Sequence, residues 1–381
     1  MVEQVERLAG DYEVHVYSNW VEDVDLRSIV WHRVPALPGP HLFGYCWWFL
    51  ANHMLRWWDR QFRGLRFDIT YSPGINCLDA NIVAVHIVFA EFERLAREEL
   101  RLKNAPLRCW PRLIHRKIYY RLVVALEGRV YTKPGLTIVC VASQVAREIS
   151  LHCQRERDVY VIYNAVDHRV FNPHARLARR EAARRELGLL DEELVLLLVG
   201  NDWKKKGLHW LLKAVADLRH LALKVLIVGR DDRGPYEPVI REMEIDQQVR
   251  FLEPSSDILK FYAASDAYVG PSLHDSFAFP PLEAMACGLP VITSSRNGGA
   301  EIISHGTDGF VLADPADISQ LTRLIKCLYD DQDLRKRLGE NAAKTARQYT
   351  WDRNAQQLHT IIEEVLGARP GVDRSPRSAR C

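Results

Sequence analysis

The feature that most constrains this chain is a series of short apolar runs in its C-terminal half, several closing on glycine, serine or proline. Leu194–Val199 reads LVLLLV and ends at Gly200; Leu223–Val228 reads LKVLIV and ends at Gly229. Val249–Leu252, Ala267–Val269, Val291–Thr293 and Phe310–Leu312 add four more, with helical periodicity between most of them. Runs that are apolar at consecutive positions suit strands buried on both faces. Alternation with helices then predicts an α/β, doubly wound parallel sheet. In such sheets ligands bind at the carboxyl ends of the strands, where these turn residues lie.

The N-terminal half alternates less cleanly. Its strand candidates are Val14–Tyr17, Ile29–Val34, Asp68–Tyr71, Val83–Phe89, Thr137–Ala142 and Val159–Ile162. At 381 residues the chain is too long for one comfortable core. The polar, highly charged segment between Phe171 and Gly188 predicts the boundary. The expected division is 1–175 and 188–350, a last helix over 352–366, and a disordered basic tail over 367–381. Residues 2–9 read as a helix leading into a strand, so the strand that normally opens such a domain has no counterpart here.

Lys and Arg total 51 against 49 Asp and Glu, a balance that argues against a nucleic-acid partner. Locally the balance shifts: from Arg94 to Arg129 there are ten Lys/Arg and three Asp/Glu. That stretch reads either as a solvated helical face or as a surface turned to anionic lipid or a phosphorylated acceptor. Residues 41–58, HLFGYCWWFLANHMLRWW, carry two Trp pairs; sugar stacking, core packing and insertion at a membrane interface are all open to them. Eight scattered cysteines without a CxxC pair predict buried, reduced thiols in a cytoplasmic protein, and no apolar run is long enough to span a bilayer.

Three segments in the C-terminal half carry candidate chemistry. HDSFAFPPLEAMACGLPVI, from His274, follows a strand. Pro280 and Pro281 suit the first turn of a helix that stops at Gly288. This predicts Asp275 in the loop and Glu283 in the helix's first turn. The amides of residues 276–279 are then open to a ligand's oxygens. The bland reading is a loop cap and a surface charge. GNDWKKKGL, residues 200–208, would bring Lys205 and Lys206 to a diphosphate at the same sheet edge, or is a solvated turn. SSRNGGAEII offers Gly298 and Gly299 for close backbone approach, and Glu301 as a helix cap or a hydroxyl ligand.

These segments, with VLIVGRDD and VRFLEPSSDILKFYAASDAYVGPS between them, resemble the C-terminal domain of retaining glycosyltransferases of the GT-B fold, family 4 (glycosyltransferase group 1 type). The likeness runs from about Val195 to Pro315, and more weakly into the N-terminal half through VIYNAVDHRVFNP. It implies two Rossmann-like domains facing a central cleft, the final helix bracing the first domain. It assigns Glu283 to the nucleotide's ribose hydroxyls and Asp275 to the transferred sugar. Lys205 and Lys206 go to the donor diphosphate, and the amides of Phe277, Ala278 and Phe279 to sugar and phosphate oxygens. Gly200, Gly229 and Leu252 line the donor, Asn201, Arg230 and Glu301 are further candidates, and His86 lies near the reacting sugar. Asp275 stands for the more usual Glu, and Ala165 for a Gly. The implied activity is transfer of a hexose from a nucleotide-diphosphate sugar, UDP-linked, to a glycan or lipid-linked acceptor in envelope or polysaccharide biosynthesis. No metal or cofactor is expected, and the location is cytoplasmic, on the inner membrane face. The alternative is a non-catalytic sugar-nucleotide-binding or partner protein.

Overall fold

The computed structural model describes residues 2–97, 100–101 and 106–368. The expected tail beyond residue 368, Cys381 with it, and six positions of the basic stretch lie outside the described residues. The chain divides into two units, one running to Ile162 and resuming at Asn354, the other spanning Tyr163–Arg353. The division precedes the polar segment expected to mark it.

The second unit holds a six-stranded parallel sheet in the order β12-β11-β10-β7-β8-β9. Its strands are β7 (Leu194–Val199), β8 (Leu223–Val228), β9 (Val249–Leu252), β10 (Ala267–Gly270), β11 (Val291–Ser294) and β12 (Phe310–Leu312). Leu194, Leu196 and Leu198 of β7 pack with Leu223, Val225 and Ile227 of β8. Leu211, Leu212 and Val215 of helix Leu208–Asp217 and Leu321, Ile325 and Leu328 of helix Ile318–Asp330 join the same cluster. The alternate residues Val195, Leu197, Leu226 and Val228 are just as buried, so both faces of the sheet are covered. That is why these strands are apolar throughout rather than alternating.

The first unit holds two parallel sheets. β1 (Val14–Ser18) pairs with β2 (Ile29–Arg33). β3 (Tyr71–Pro73), β4 (Ile82–Val85), β5 (Thr137–Cys140) and β6 (Val159–Val161) form the other sheet in that order. β4 and β5 are wholly buried, whereas no residue of β1 is. The final helix, Trp351–Gly367, places Leu358, Ile361 and Ile362 in the core with Ile82, Val139 and Ile162. Tyr12 ties it further, through its hydroxyl to His359 Nδ1 and Glu363 Oε1, both at 2.8 Å.

The segment read as a polar boundary is instead a helix, Pro173–Glu186, entered from an Asn172 cap that accepts from the Ala175 amide at 2.8 Å. Its arginines are structural. Arg184 is buried, donating to Asp266 at 3.2 Å and to the carbonyls of Ala264 and Glu193 at 3.1 and 2.9 Å; Arg180 holds Asp266's other oxygen at 2.6 Å. The thiols also differ from expectation. Cys77, Cys140 and Cys287 are buried, but Cys46 and Cys327 are exposed on helix surfaces. No helix among the described residues is long and apolar enough to cross a membrane.

Removing one partner of a buried ion pair strands the other, so Arg184→Ala should cost about 3–5 kcal/mol in the unfolding transition of the second unit. Urea unfolding followed by tryptophan fluorescence measures this; a loss below about 1 kcal/mol would contradict a structural role for the pair.

Candidate active site

The site is built where β7, β8 and β10 end. The register pairs Val199 with Val228, so Gly200 and Gly229 leave the sheet side by side, the Gly200 amide donating to Val228 O at 2.9 Å. Gly229 has a φ of 158°, and a β-carbon there would lie 2.2 Å from Gly200 O. Gly207, at φ 80°, closes the next loop, where a β-carbon would lie 2.0 Å from Pro271 O. Only glycine lets these backbones approach so closely. As a result the 200–207 loop folds over the end of β10, and Leu273 N donates to Lys205 O at 2.7 Å.

Lys206 lies along Gly200 and its ammonium bonds directly to Asp275 Oδ2. Both side chains are largely buried, with 13% and 22% exposure. Lys205 turns the other way and pairs with Asp202 at the rim. Asp275 is fixed through its backbone as well: its amide donates to Arg296 O and its carbonyl accepts from Gly298 N, each at 2.9 Å. The bland reading of 200–208 as a solvated turn therefore holds for Lys204, which is exposed, but not for Lys206.

The prolines open helix Phe279–Ala286 as the sequence predicted, and Gly288 follows it at φ 73°. Two details differ. Glu283 falls in the helix's second turn rather than its first, and its Oε2 accepts from the hydroxyl of the fully buried Tyr262. The amide of Ala278 is not open to a ligand; it donates to Asn297 Oδ1 at 3.2 Å. Phe277 and Ala278 are buried, while Phe279 is exposed at the helix start. Burial pushes the Glu283 carboxyl above its ordinary range, opposed by the Tyr262 hydrogen bond. Buried Tyr268 lies close enough to Asp275 and Glu283 for both charges to raise its phenol further, after burial itself.

Asn297, rather than Glu301, caps the 3₁₀ turn Gly298–Ile302, its Oδ1 accepting from Gly299 N at 2.9 Å. The close neighbours of Gly299 are the chain's own Asn297 and Ala278. Glu301 is exposed and accepts from the Tyr163 hydroxyl at 3.1 Å. Asn201 Oδ1 accepts from Arg230 N at 2.8 Å, joining the β7 and β8 turns, and exposed Arg230 pairs with Glu253 at 3.8 Å. Asp231 accepts from Trp203 N at 2.7 Å, and Leu252 O accepts from Gly229 N at 3.1 Å. His86 belongs to the other unit, where β4 stops at Val85 and leaves the imidazole exposed just beyond it.

Tyr262, Tyr268 and Asn297 were not singled out in the sequence. The two tyrosines sit in apolar stretches that read as plain core, and Asn297 was legible only as the residue before a Gly-Gly pair. Among the described residues no cluster of three or more His, Cys, Asp or Glu side chains could hold a metal ion.

The Glu283 shift has a testable sign. A carboxyl raised on folding stabilises below its unfolded pKa, and that contribution is lost as pH rises through the folded pKa. Glu283→Gln cannot ionise, so its stability relative to wild type should rise as pH climbs above the ordinary carboxylate range. Thermal unfolding at a series of pH values measures it; a difference independent of pH would refute the buried setting of this carboxyl.

The chain's likeness to known proteins follows this geometry. Residues 179–345 match the family described as glycosyl transferases group 1. The D-inositol 3-phosphate glycosyltransferase of Corynebacterium kroppenstedtii is 33% identical over 228 residues, 56% of this chain and 49% of that protein. The chain thus spans about half the length of that relative. The crystal structure of WaaG, a glycosyltransferase involved in lipopolysaccharide biosynthesis, superposes with a TM-score of 0.74 at 20% identity, covering 94% of each chain. HepE of Anabaena, solved with UDP-glucose, superposes at 0.62 with 18% identity over 97% of this chain and 82% of that one. The chain has the GT-B fold, and its second unit carries the segment that matches the glycosyl transferases group 1 family.

Proposed function

We propose that this chain is a retaining glycosyltransferase that moves a hexose from a UDP-linked donor to a glycan or lipid-linked acceptor of envelope or polysaccharide biosynthesis, at the inner face of the membrane. The observation that carries this reading is the Lys206–Asp275 pair at the carboxyl ends of one parallel sheet, with the Glu283 carboxylate held by Tyr262 on the helix that follows Asp275. A donor diphosphate draws Lys206 away from Asp275, and Lys205 and the amino end of helix Phe279–Ala286 add positive potential. Positive charge fixed in place acts most on the diphosphate as it departs, when its charge grows. Asp275, released, is positioned for the sugar's hydroxyls.

Glu283 accepts from the ribose hydroxyls through the oxygen that Tyr262 leaves open. Hydroxyl donors favour the ionised carboxylate that burial disfavours, so nucleotide binding and the charged form of Glu283 support each other. A diphosphate leaves without a proton, which removes the need for the paired acid and base of glycoside hydrolysis. We assign front-face transfer with retained configuration and no metal ion. UDP is chosen because HepE, of the same fold, was solved with UDP-glucose.

The test is thermal unfolding of the 381-residue chain with UDP, GDP, ADP or CMP. One nucleotide at about 100 times its Kd should add roughly 2.7 kcal/mol, and Glu283→Ala should abolish the gain. Release of UDP from UDP-glucose then separates the enzyme from a binding protein: turnover should fall by about 10²–10³ in Lys206→Ala. Absence of any nucleotide-dependent gain contradicts the donor site, and a gain without turnover contradicts the enzyme.

A further inference from the structure

A side chain closed to solvent holds the Glu283 carboxylate. Tyr262 lies in helix Leu259–Ala264, between β9 and β10, and has no exposed surface. Its hydroxyl donates to Glu283 Oε2. Burial, then the nearby Glu283 charge, raises the phenol well above its ordinary range, so the hydroxyl keeps its proton and stays a donor. The bond acts on Glu283 in turn: burial pushes that carboxyl up, and the Tyr262 hydroxyl draws it back down.

Tyr262 has little freedom to do otherwise. Phe171 meets its ring edge-on, with the centroids 5.6 Å apart. The carbonyls at the end of its helix are gripped by helix Pro173–Glu186: Arg184 donates to Ala264 O and Arg180 to Ser265 O, both at 3.1 Å. Arginines, helix and hydroxyl form one support behind the carboxylate. The other titratable groups near Glu283 are Tyr268 on β10 and Cys287 at the end of Glu283's own helix, with Arg176 beside that thiol. Burial pushes the Cys287 thiol up to about 12 and the Tyr268 phenol higher still, so both remain neutral. Tyr262 is the group whose hydrogen bond opposes the cost of burying the Glu283 charge.

We propose that Tyr262 is a positioning residue that makes this site select ribonucleotides over 2′-deoxyribonucleotides. By occupying Oε2 it fixes how the carboxylate points and leaves Oε1 to the 2′- and 3′-hydroxyls of a ribose. By favouring the ionised carboxylate it keeps that oxygen a strong acceptor. A deoxyribose has one hydroxyl fewer and gains less from it. This role rests on the donor site proposed above, and Tyr262 itself does not touch the nucleotide.

The experiment is calorimetric titration of UDP and 2′-deoxy-UDP into the wild-type chain, Tyr262→Phe, Glu283→Gln and the double variant. Wild type should prefer UDP. Tyr262→Phe removes one buried hydroxyl and should weaken UDP on the order of tenfold, and 2′-deoxy-UDP by less, so the preference shrinks. Without the hydroxyl Glu283 takes up its proton at a higher pH, so UDP affinity in Tyr262→Phe should fall off at a higher pH than in wild type. The phosphates of UDP titrate alike with both proteins. In the Glu283→Gln background there is no charge for Tyr262 to hold, and Tyr262→Phe should add no more than about a twofold loss. That comparison holds even if the single Tyr262→Phe variant fails to fold, since no carboxylate is stranded. Equal weakening of both nucleotides with an unshifted pH profile marks a merely structural tyrosine and overturns the proposal, as does a larger loss in the Gln background. Absence of UDP binding by wild type overturns the donor site itself, and the role of Tyr262 with it.

Discussion

The second unit depends on how closely its backbones approach at the strand ends. The register of β7 on β8 sets Gly200 against Gly229, and Gly207 lies against Pro271, at distances no β-carbon could share. Because three turns converge there, Lys206 reaches across from the end of β7 to Asp275 beyond the end of β10. The ion pair is thus a consequence of sheet register and glycine placement. It is a partly buried pair, and such pairs add little to stability on their own. Its value lies in holding two opposite charges ready for a ligand that can separate them.

Much of this was legible in the sequence because it follows from local chemistry. Apolar runs ending in glycine gave the strands of the second unit, and Pro280, Pro281 and Gly288 gave the limits of the helix that carries Glu283. What could not be read was which side chains fill second positions around the site. Tyr262 and Tyr268 look like core until the fold brings their hydroxyl ends towards Glu283 and Asp275. The Ala278 amide looked open because its partner, Asn297, lies in another segment. Helix Pro173–Glu186 follows the same rule: its charge-rich sequence marks a boundary but does not show that its arginines meet a largely buried acid, Asp266.

In the first unit the ordinary rule misleads. Hydrophobic periodicity in residues 41–62 would turn the Trp and Leu stripe inward, yet the structure turns it out and buries Arg56 and Asp59 instead. Tyr17, His32 and Asp79, all distant in sequence, fix that orientation. The two sheets of this unit also stand as separate ladders, with the half-exposed β1 and β3 each hydrogen-bonded along one edge. A sequence reading yields the strands but not that break.

The central claim is that a diphosphate competes with Asp275 for Lys206, and calorimetric titration of UDP into three proteins tests it most directly. Against wild type, Lys206→Ala should bind UDP more weakly, because the cation is gone. Asp275→Asn should bind it more tightly, because the cation no longer has to leave a carboxylate. Opposite signs for the two substitutions are the predicted result. Equal weakening by both would contradict the account, since Asp275 would then be a partner of the nucleotide and not its rival.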